Sequence, residues 1–230
     1  MQFIKSKLNY FTPAEWLLWG GSASAIVVSF LLFDRESGLT LCASLLGVTS
    51  LILCAKGNPL GQLLMVIFSL LYGWISFTFA YYGEMITYVG MSGPMALAAL
   101  IAWVRHPYKG NKSEVEVNHV HRQEYLFMAL LTAAVTVLFY FILDAFGTAN
   151  LLPSTISVTT SFAAVYLTYR RSPFYALAYA ANDVILIVLW LLAALEDSSY
   201  ISVIVCFATF LFNDIYGFIS WRRMEQRQTA

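Results

Sequence analysis

Long apolar runs separated by short polar segments recur along the whole chain. The eight runs cover residues 16–33, 39–55, 60–82, 85–104, 124–146, 154–169, 174–195 and 199–221. About 20 apolar residues suffice for a helix to cross the hydrocarbon of a bilayer, and a helix satisfies its own backbone hydrogen bonds there. The pattern therefore predicts an all-α, polytopic integral membrane protein with about eight transmembrane helices.

Basic residues collect in alternate connecting segments. With the chain starting in the cytoplasm, the outer segments contain Arg35 alone, beside the acidic Asp34, Glu36, Glu84, Glu196 and Asp197. The cytoplasmic segments contain the other Lys and Arg residues, which are Lys5, Lys7, Lys56, Arg105, Lys109, Lys112, Arg122, Arg170, Arg171, Arg222, Arg223 and Arg227. Because Lys and Arg are enriched in cytoplasmic loops, we expect both termini on the cytoplasmic side.

The overall composition agrees with a membrane protein. Of the 230 residues, 60% are hydrophobic and 11% are charged, which is far more apolar than a soluble domain. Cys42, Cys54 and Cys206 lie inside apolar runs without metal-ligand spacing, so we interpret them as small core residues.

Two basic helix ends suggest an internal repeat. Lys56-Gly57-Asn58-Pro59 and Arg170-Arg171-Ser172-Pro173 are 114 residues apart, and at the same offset Leu53, Leu63 and Ala80 match Leu167, Leu177 and Ala194. Three helices per repeat with one helix between them give a 3+1+3 parallel repeat, an arrangement that transporters use; the alternative is a chance likeness of two basic ends with a proline. The predicted units are an N-terminal tail and extra peripheral helix (1–38), a first triplet (39–104), a cytoplasmic loop and linker helix (105–153), a second triplet (154–222) and a cytoplasmic tail (223–230).

Two Asn-Asp pairs interrupt the last two apolar runs. Asn182-Asp183 and Asn213-Asp214 lie within about 5 Å of the predicted midplane, given a rise of about 1.5 Å per residue. A carboxylate at that depth costs at least about 2.5–3.5 kcal/mol, so these side chains face the bundle interior. They either join helices through hydrogen bonds or bind a ligand; we expect the asparagines to contact ligand and the aspartates to pack between helices.

Helical spacing adds aromatic and polar neighbours to these pairs. Steps of four residues lead from Asn182 to Trp190, and a step of three leads from Asn213 to Tyr216. A comparable stripe in the first triplet contains Gln62 and Tyr72. Carboxamides and flat aromatic rings suit a planar heterocycle that carries ribose hydroxyl groups.

The kinds of residue inside the runs limit the function. No Lys or Arg lies within them, so a phosphorylated ligand would lack cationic partners. The histidines lie in the polar loop, where His119 and His121 are better explained as solvated residues than as metal ligands, and no Ser-His or Cys-His pair can form in the bundle. We expect no enzyme activity, no cofactor or metal and no nucleic-acid partner.

Several short motifs follow one another along the chain. They are Tyr81-Tyr82-Gly83-Glu84-Met85 with Tyr88, Pro153-Ser154-Thr155-Ile156-Ser157, Arg171-Ser172-Pro173, Ala180-Ala181-Asn182-Asp183, Trp190, Ser199-Tyr200 and Asn213-Asp214-Ile215-Tyr216-Gly217-Phe218. Together they resemble the PnuC family of bacterial nicotinamide riboside transporters, which are related to the SWEET carriers. The similarity covers roughly residues 40–222.

The resemblance implies a SWEET-like 3+1+3 core in the bacterial inner membrane. It also implies uptake of nicotinamide riboside by facilitated diffusion, trapping by a cytoplasmic kinase, and assembly as a homotrimer. The expected substrate-binding residues are then Asn182, Trp190, Asn213, Tyr216, Gln62, Tyr72, Tyr88, Asp183 and Asp214.

Other functions stay open at this point. A related carrier would take thiamine, riboflavin or a deoxynucleoside, and one coupled to protons would titrate Asp183 or Asp214. A ligand-sensing or scaffold protein would not move a substrate across the membrane.

Overall fold

The computed structural model describes residues 10–35, 37–78, 82–148 and 150–230. Lys5, Lys7, Glu36, Ala80 and Tyr81, which entered the sequence argument, lie outside the described residues. Within the described chain, eight helical segments are long and apolar enough to cross a membrane, which confirms the predicted number. The protein is therefore a helical, multi-pass membrane protein.

The helices follow one another with short connections. They are α1 (Pro13–Phe33), α2 (Gly38–Ala55), α3 (Pro59–Thr78), α4 (Tyr82–Ile86), a π-helical segment (Thr87–Ser92), α5 (Gly93–Arg105), α6 (Arg122–Ala145), α7 (Leu151–Tyr169), α8 (Phe174–Ala194), a 3₁₀ turn (Ser198–Tyr200) and α9 (Ile201–Thr229). α4, the π-helical segment and α5 together form one span, Tyr82–Arg105. Glu84, which the sequence placed in a connecting loop, lies inside this span.

The π-helical segment has a local cause in the sequence. Pro94 has no N–H to donate to the carbonyl of Gly90, so the regular bonding pattern of an α-helix cannot continue there. The N–H of Gly93 instead bonds to the carbonyl of Tyr88, five residues earlier. Because π-helical turns are frequent at functional sites, the Thr87–Ser92 segment is a candidate part of the functional site.

The polar segment after α5 contains a β-hairpin that the sequence analysis did not predict. β1 (Pro107–Tyr108) pairs antiparallel with β2 (Asn111–Val115), and Lys109 and Gly110 form the connection with positive φ angles of 47° and 81°. Two residues with φ > 0 are the usual connection of a tight hairpin. We call the end of the bundle that carries this hairpin the hairpin end, and the opposite end the far end.

The two helix C-termini that lie 114 residues apart in the sequence have the same kind of cap. Gly57 and Arg171 both have a left-handed backbone, with φ of 67° and 58°. At each cap, one backbone N–H donates to the carbonyl three residues earlier, and the next N–H donates to the carbonyl five residues earlier, as in a Schellman motif. The donor–acceptor pairs are Gly57–Cys54 and Asn58–Leu53 at the first cap, and Arg171–Thr168 and Ser172–Leu167 at the second. The end of β2 contacts the first cap, where Val115 N–H donates to Gly57 O, and the segment after β2 contacts the second, where Asn118 N–H donates to Arg171 O.

Two tryptophans join the two halves of the bundle near the hairpin end. Trp103 Nε1 donates to the carbonyl of Thr168 at 2.9 Å, and Trp221 Nε1 donates to the carbonyl of Cys54 at 2.7 Å. Both rings are fully buried with centroids 5.2 Å apart, and Tyr175 packs edge-on against Trp221. We call Trp103, Tyr175 and Trp221 the hairpin-end aromatic layer.

Candidate substrate site

An enclosed central cavity lies between α2, α3, the α4–α5 span, α7, α8 and α9. It offers about 90 Å³ to the centres of water molecules. Its polar lining residues are Ser69, Glu84, Thr87, Tyr88, Ser92, Ser154, Ser157, Ser161, Tyr179, Asn182, Asp183 and Asp214. A cavity with a mostly apolar lining and several polar side chains is the usual form of a small-molecule site, and transporters place such sites between their membrane helices.

The two aspartates meet at one side of this cavity. The carboxyl groups of Asp183 on α8 and Asp214 on α9 form a hydrogen bond with each other, and each residue is 4% exposed. No donor among the described residues reaches Asp183 Oδ2. The aspartates therefore join two helices, as the sequence analysis expected, and also line the cavity.

Asn182 presents an amide group to the same cavity. Its Oδ1 accepts hydrogen bonds from Ser157 Oγ at 3.1 Å and from Thr160 Oγ1 at 2.8 Å, both on α7. These bonds fix the rotation of the amide, and none of the described residues accepts from its Nδ2. The side chain is thus a preoriented donor for a polar group in the cavity.

A cluster of aromatic rings, tilted or edge-on to one another, lies between the cavity and the far end. Tyr88, in the π-helical segment, and Phe68, on α3, line the cavity, whereas Tyr72 lines a separate pocket beyond it. The ring centroids of Tyr72 and Tyr88 are 4.9 Å apart, and those of Phe68 and Tyr72 are 5.0 Å apart. We call Phe68, Tyr72 and Tyr88 the far-end aromatic layer, since it separates the two spaces.

The far-end pocket is larger, with a volume of about 780 Å³. Trp190 and Tyr200 pack there with ring centroids 5.2 Å apart. The indole Nε1 of Trp190 is buried, and no hydrogen-bond acceptor among the described residues reaches it. The pocket therefore offers a flat aromatic surface to a ligand.

The predicted residues divide into three groups. Asn182, Asp183, Asp214 and Tyr88 line the central cavity, and Tyr72 and Trp190 line the far-end pocket. Gln62, Asn213 and Tyr216 line neither space in the described structure.

The third group makes other contacts. Gln62 Nε2 donates to Cys54 Sγ at 3.2 Å between α3 and α2. Asn213 and Tyr216 both reach α1: Asn213 Nδ2 donates to Ser22 Oγ at 2.9 Å, and Tyr216 OH donates to Glu15 Oε1 at 2.9 Å. The bundle does not bring these three side chains to the cavity, because neighbouring helices hold them on other faces.

The cavity also contains residues that sequence reasoning missed. Glu84 lines both the central cavity and the far-end pocket. It was not predicted as a site residue because it lies at the predicted edge of a span. Ser154, Ser157 and Ser161 of α7 line one wall. Their spacing of three and four residues was a usable signal, since such residues share one helix face.

The charge of the lining is distinctive. Among the described residues that line the central cavity there are three carboxyl groups and no Lys, Arg or His side chain. Such a lining favours a neutral or cationic ligand and opposes a phosphate group, which needs cationic or several N–H partners.

Eight apolar helices around a central cavity with several polar lining residues are typical of multi-pass membrane transporters for small molecules. Comparison with known proteins identifies the particular family. A family model described as nicotinamide mononucleotide transporter matches residues 37–223, and the chain accordingly belongs to the PnuC family of membrane transporters.

Two relatives agree with this family. The chain is 25% identical over 224 residues to the nicotinamide riboside transporter PnuC of Neisseria mucosa, a match that covers 94% of this chain and 83% of the relative. A crystal structure of the vitamin B3 transporter PnuC has the same fold, with a TM-score of 0.81 at 22% identity over 95% of this chain and 94% of that chain.

Proposed function

We propose that the protein takes up nicotinamide riboside, the dephosphorylated pyridine nucleoside, through the central cavity. The observation that carries the proposal is a buried cavity with the Asp183–Asp214 pair, the Asn182 donor and no basic side chain among its described lining residues. Nicotinamide riboside carries one positive charge, on its ring, and several hydroxyl groups. Its charge and polarity match this lining.

The absence of basic lining residues argues for the riboside over the mononucleotide. A phosphate group would bring about two negative charges close to buried carboxyl groups without a cation to compensate them. The name of the family model mentions the mononucleotide and that of the Neisseria relative mentions the riboside. The chemistry of this cavity supports the riboside.

Each part of the substrate has a matching group. The Asp183–Asp214 pair would balance the pyridinium charge, and the rings of Tyr88 and Phe68 would stack on the heterocycle, a contact worth about 2 kcal/mol when water is excluded. Asn182 Nδ2 would donate to the carboxamide or to ribose, and the Ser154 and Ser157 side chains would lie nearby on α7. Trp190 would hold the ring first, in the far-end pocket.

Passage through the protein would require alternating access. The central cavity is smaller than the roughly 300–1,000 Å³ of typical ligand sites, so a nucleoside enters only when helices separate. The far-end and hairpin-end aromatic layers would close the cavity on its two sides and would open in turn. This cycle moves the substrate down its own gradient, by facilitated diffusion.

The two triplets, 39–104 and 154–222, would be the units that move. Their repeat relation is supported by the matching caps at Gly57 and Arg171 and by the reciprocal bonds of Trp103 and Trp221. The hairpin end would face the cytoplasm, because Lys and Arg residues concentrate there. A cytoplasmic kinase would then trap the riboside, and the family resemblance favours a homotrimer in the bacterial inner membrane.

Calorimetric titration of the purified protein tests the substrate. We expect nicotinamide riboside to bind at least tenfold more tightly than nicotinamide mononucleotide. Tighter binding of the mononucleotide would contradict the argument from the cavity charge. Tighter binding of thiamine, riboflavin or a deoxynucleoside would keep the transporter class but change the substrate.

A further inference from the structure

Another pocket lies at the hairpin end, apart from the two spaces described above. It has a volume of about 440 Å³ and lies between the end of α2, β2 and the last part of α9. None of its described lining residues lines the central cavity or the far-end pocket. Three basic side chains, Lys56, Arg223 and Arg227, and one carboxylate, Glu114, line it. Basic groups therefore outnumber acidic ones here, in contrast to the central cavity.

Hydrogen bonds between distant parts of the chain hold the walls of this pocket. Gln228, near the end of α9, donates through Nε2 to Val115 O at 3.1 Å and accepts through Oε1 from Val117 N–H at 2.7 Å. On the other side, Asn58 Nδ2 donates to Tyr10 OH at 2.9 Å, next to the cap of α2. The fold itself thus joins the elements around the pocket, and such preorganisation lowers the entropic cost of binding a ligand.

The basic groups of the pocket are only partly compensated. Lys56 Nζ lies 3.0 Å from both carboxylate oxygens of Glu15, and Arg227 Nη2 lies 2.6 Å from Glu114 Oε1. Arg223 is exposed and has no carboxylate partner among the described residues. One positive charge is therefore in excess, and it belongs to a guanidinium group, which can form two parallel hydrogen bonds with an oxyanion.

Three uncharged side chains of the lining add hydrogen-bond donors. Asn111 Oδ1 accepts from Ser113 N–H at 3.1 Å, which leaves the amide Nδ2 of Asn111 as a donor. The hydroxyl groups of Ser113 and Ser220 also line the pocket and have no hydrogen-bond partner within the described chain. Phosphate oxygens are strong acceptors, so a guanidinium group among N–H and O–H donors suits them.

We propose that this pocket binds a phosphate group, with the Arg223 guanidinium as its charged partner and the amide and hydroxyl donors around it. Ser220 lies in the last turn of the last apolar run and Arg223 just after it, so the pocket lies at the depth of the lipid headgroups. Basic pockets at this depth bind anionic headgroups. A lipid phosphodiester carries one negative charge, which equals the excess of the pocket; a phosphate in solution offers the same chemistry. The inference does not depend on the substrate of the central cavity.

Calorimetric titration of the full-length protein in detergent tests the site and the source of the phosphate. The probes are short-chain phosphatidylglycerol, which is anionic, short-chain phosphatidylcholine, which has no net charge, and inorganic phosphate. We expect phosphatidylglycerol to bind more tightly than phosphatidylcholine, and its affinity to fall as the salt concentration rises.

Two neighbouring arginines provide a matched pair of variants. Arg223→Gln should weaken phosphatidylglycerol binding about fivefold or more, since it removes one basic residue at the membrane surface, and Arg223→Lys should restore part of the affinity. Arg222→Gln removes the same charge one residue earlier, but Arg222 bonds to Glu225 and does not line the pocket. It should bind phosphatidylglycerol nearly as tightly as the unmodified protein. Thermal unfolding verifies that each variant is folded.

The outcomes separate the possible sources. Phosphatidylglycerol binding that depends on Arg223 assigns the pocket to a lipid headgroup, whereas binding of inorganic phosphate alone, with the same dependence, assigns it to a phosphate from solution. Equal losses in Arg222→Gln and Arg223→Gln overturn the proposal, because they indicate general surface charge. It is also overturned if phosphatidylglycerol binds no more tightly than phosphatidylcholine and inorganic phosphate does not bind. Failure of the protein to bind nicotinamide riboside would contradict the proposed function and leave the phosphate site untouched.

Discussion

Asn182 and Asn213 each precede an aspartate within an apolar run, but their side chains make different contacts in the structure. Asn182 presents its amide Nδ2 to the central cavity, whereas Asn213 is 1% exposed and donates to Ser22 on α1 and to its own helix. We predict that Asn182→Ala weakens binding and that Asn213→Ala weakens the fold. Each variant is the matched control of the other.

The structure sets the size of both effects. Asn182→Ala removes one neutral hydrogen bond to the ligand, worth about 0.5–1.5 kcal/mol, which corresponds to about 2- to 13-fold in Kd. Thr160 keeps its bonds to the carbonyls of Ile156 and Ser157, and the half-buried Ser157 hydroxyl lines the cavity, where water can replace Asn182 as its acceptor, so stability changes little. Asn213→Ala leaves the buried hydroxyl of Ser22 without this donor and costs about 1–3 kcal/mol of stability.

Calorimetric titration with nicotinamide riboside and denaturant unfolding in detergent, on the same preparations, measure both quantities. Asn182→Ala should raise Kd at nearly unchanged stability, and Asn213→Ala should lower stability at nearly unchanged Kd. If Asn213→Ala raises Kd as much as Asn182→Ala does while the protein stays equally stable, the assignment of the two residues is refuted.

Further substitutions test the bundle around the cavity. Trp103→Phe and Trp221→Phe each remove one buried hydrogen bond to a carbonyl, and each should cost about 0.5–1.5 kcal/mol of unfolding free energy; clearly unequal losses would argue against an equivalent role of the two residues in a repeat. Tyr216→Phe removes the hydrogen bond to the buried carboxylate of Glu15 and should cost about 1.5–3 kcal/mol in unfolding experiments. Riboside affinity of Tyr216→Phe should stay unchanged, because this residue lies outside the cavity, and a large loss of affinity would place it in the site after all.

Hydropathy was sufficient to predict the number of spans. A run of about 20 apolar residues has one low-energy conformation in lipid, whichever neighbours it meets. Hydropathy placed Glu84 wrongly, because a carboxyl group near the edge of an apolar run is expected in a loop. Only the packing of the other helices shows that Glu84 lines a cavity inside the bundle. The hairpin at Pro107–Val115 was not predicted either. It depends on the two-residue turn at Lys109 and Gly110 and on a backbone hydrogen bond to a helix cap that is distant in the sequence.

The direction of polar side chains inside the membrane was only partly predictable. Depth along the helix follows from residue counting, and it correctly brought Asp183 and Asp214 to one level. Rotation about the helix axis does not follow from counting, because consecutive residues point about 100° apart. Asn182 therefore faces α7 and the cavity, whereas Asn213 faces α1, and only the packing of neighbouring helices decides between these directions.

Transport in proteoliposomes tests the central claim most directly. Vesicles that contain the purified protein and a high internal concentration of unlabelled nicotinamide riboside are diluted into labelled riboside. We predict that label accumulates inside by counterflow, and that vesicles preloaded with nicotinamide mononucleotide instead do not accumulate it. Uptake no faster than in protein-free vesicles, by a protein that binds the riboside in solution, would contradict the account and indicate a sensor or scaffold instead of a transporter.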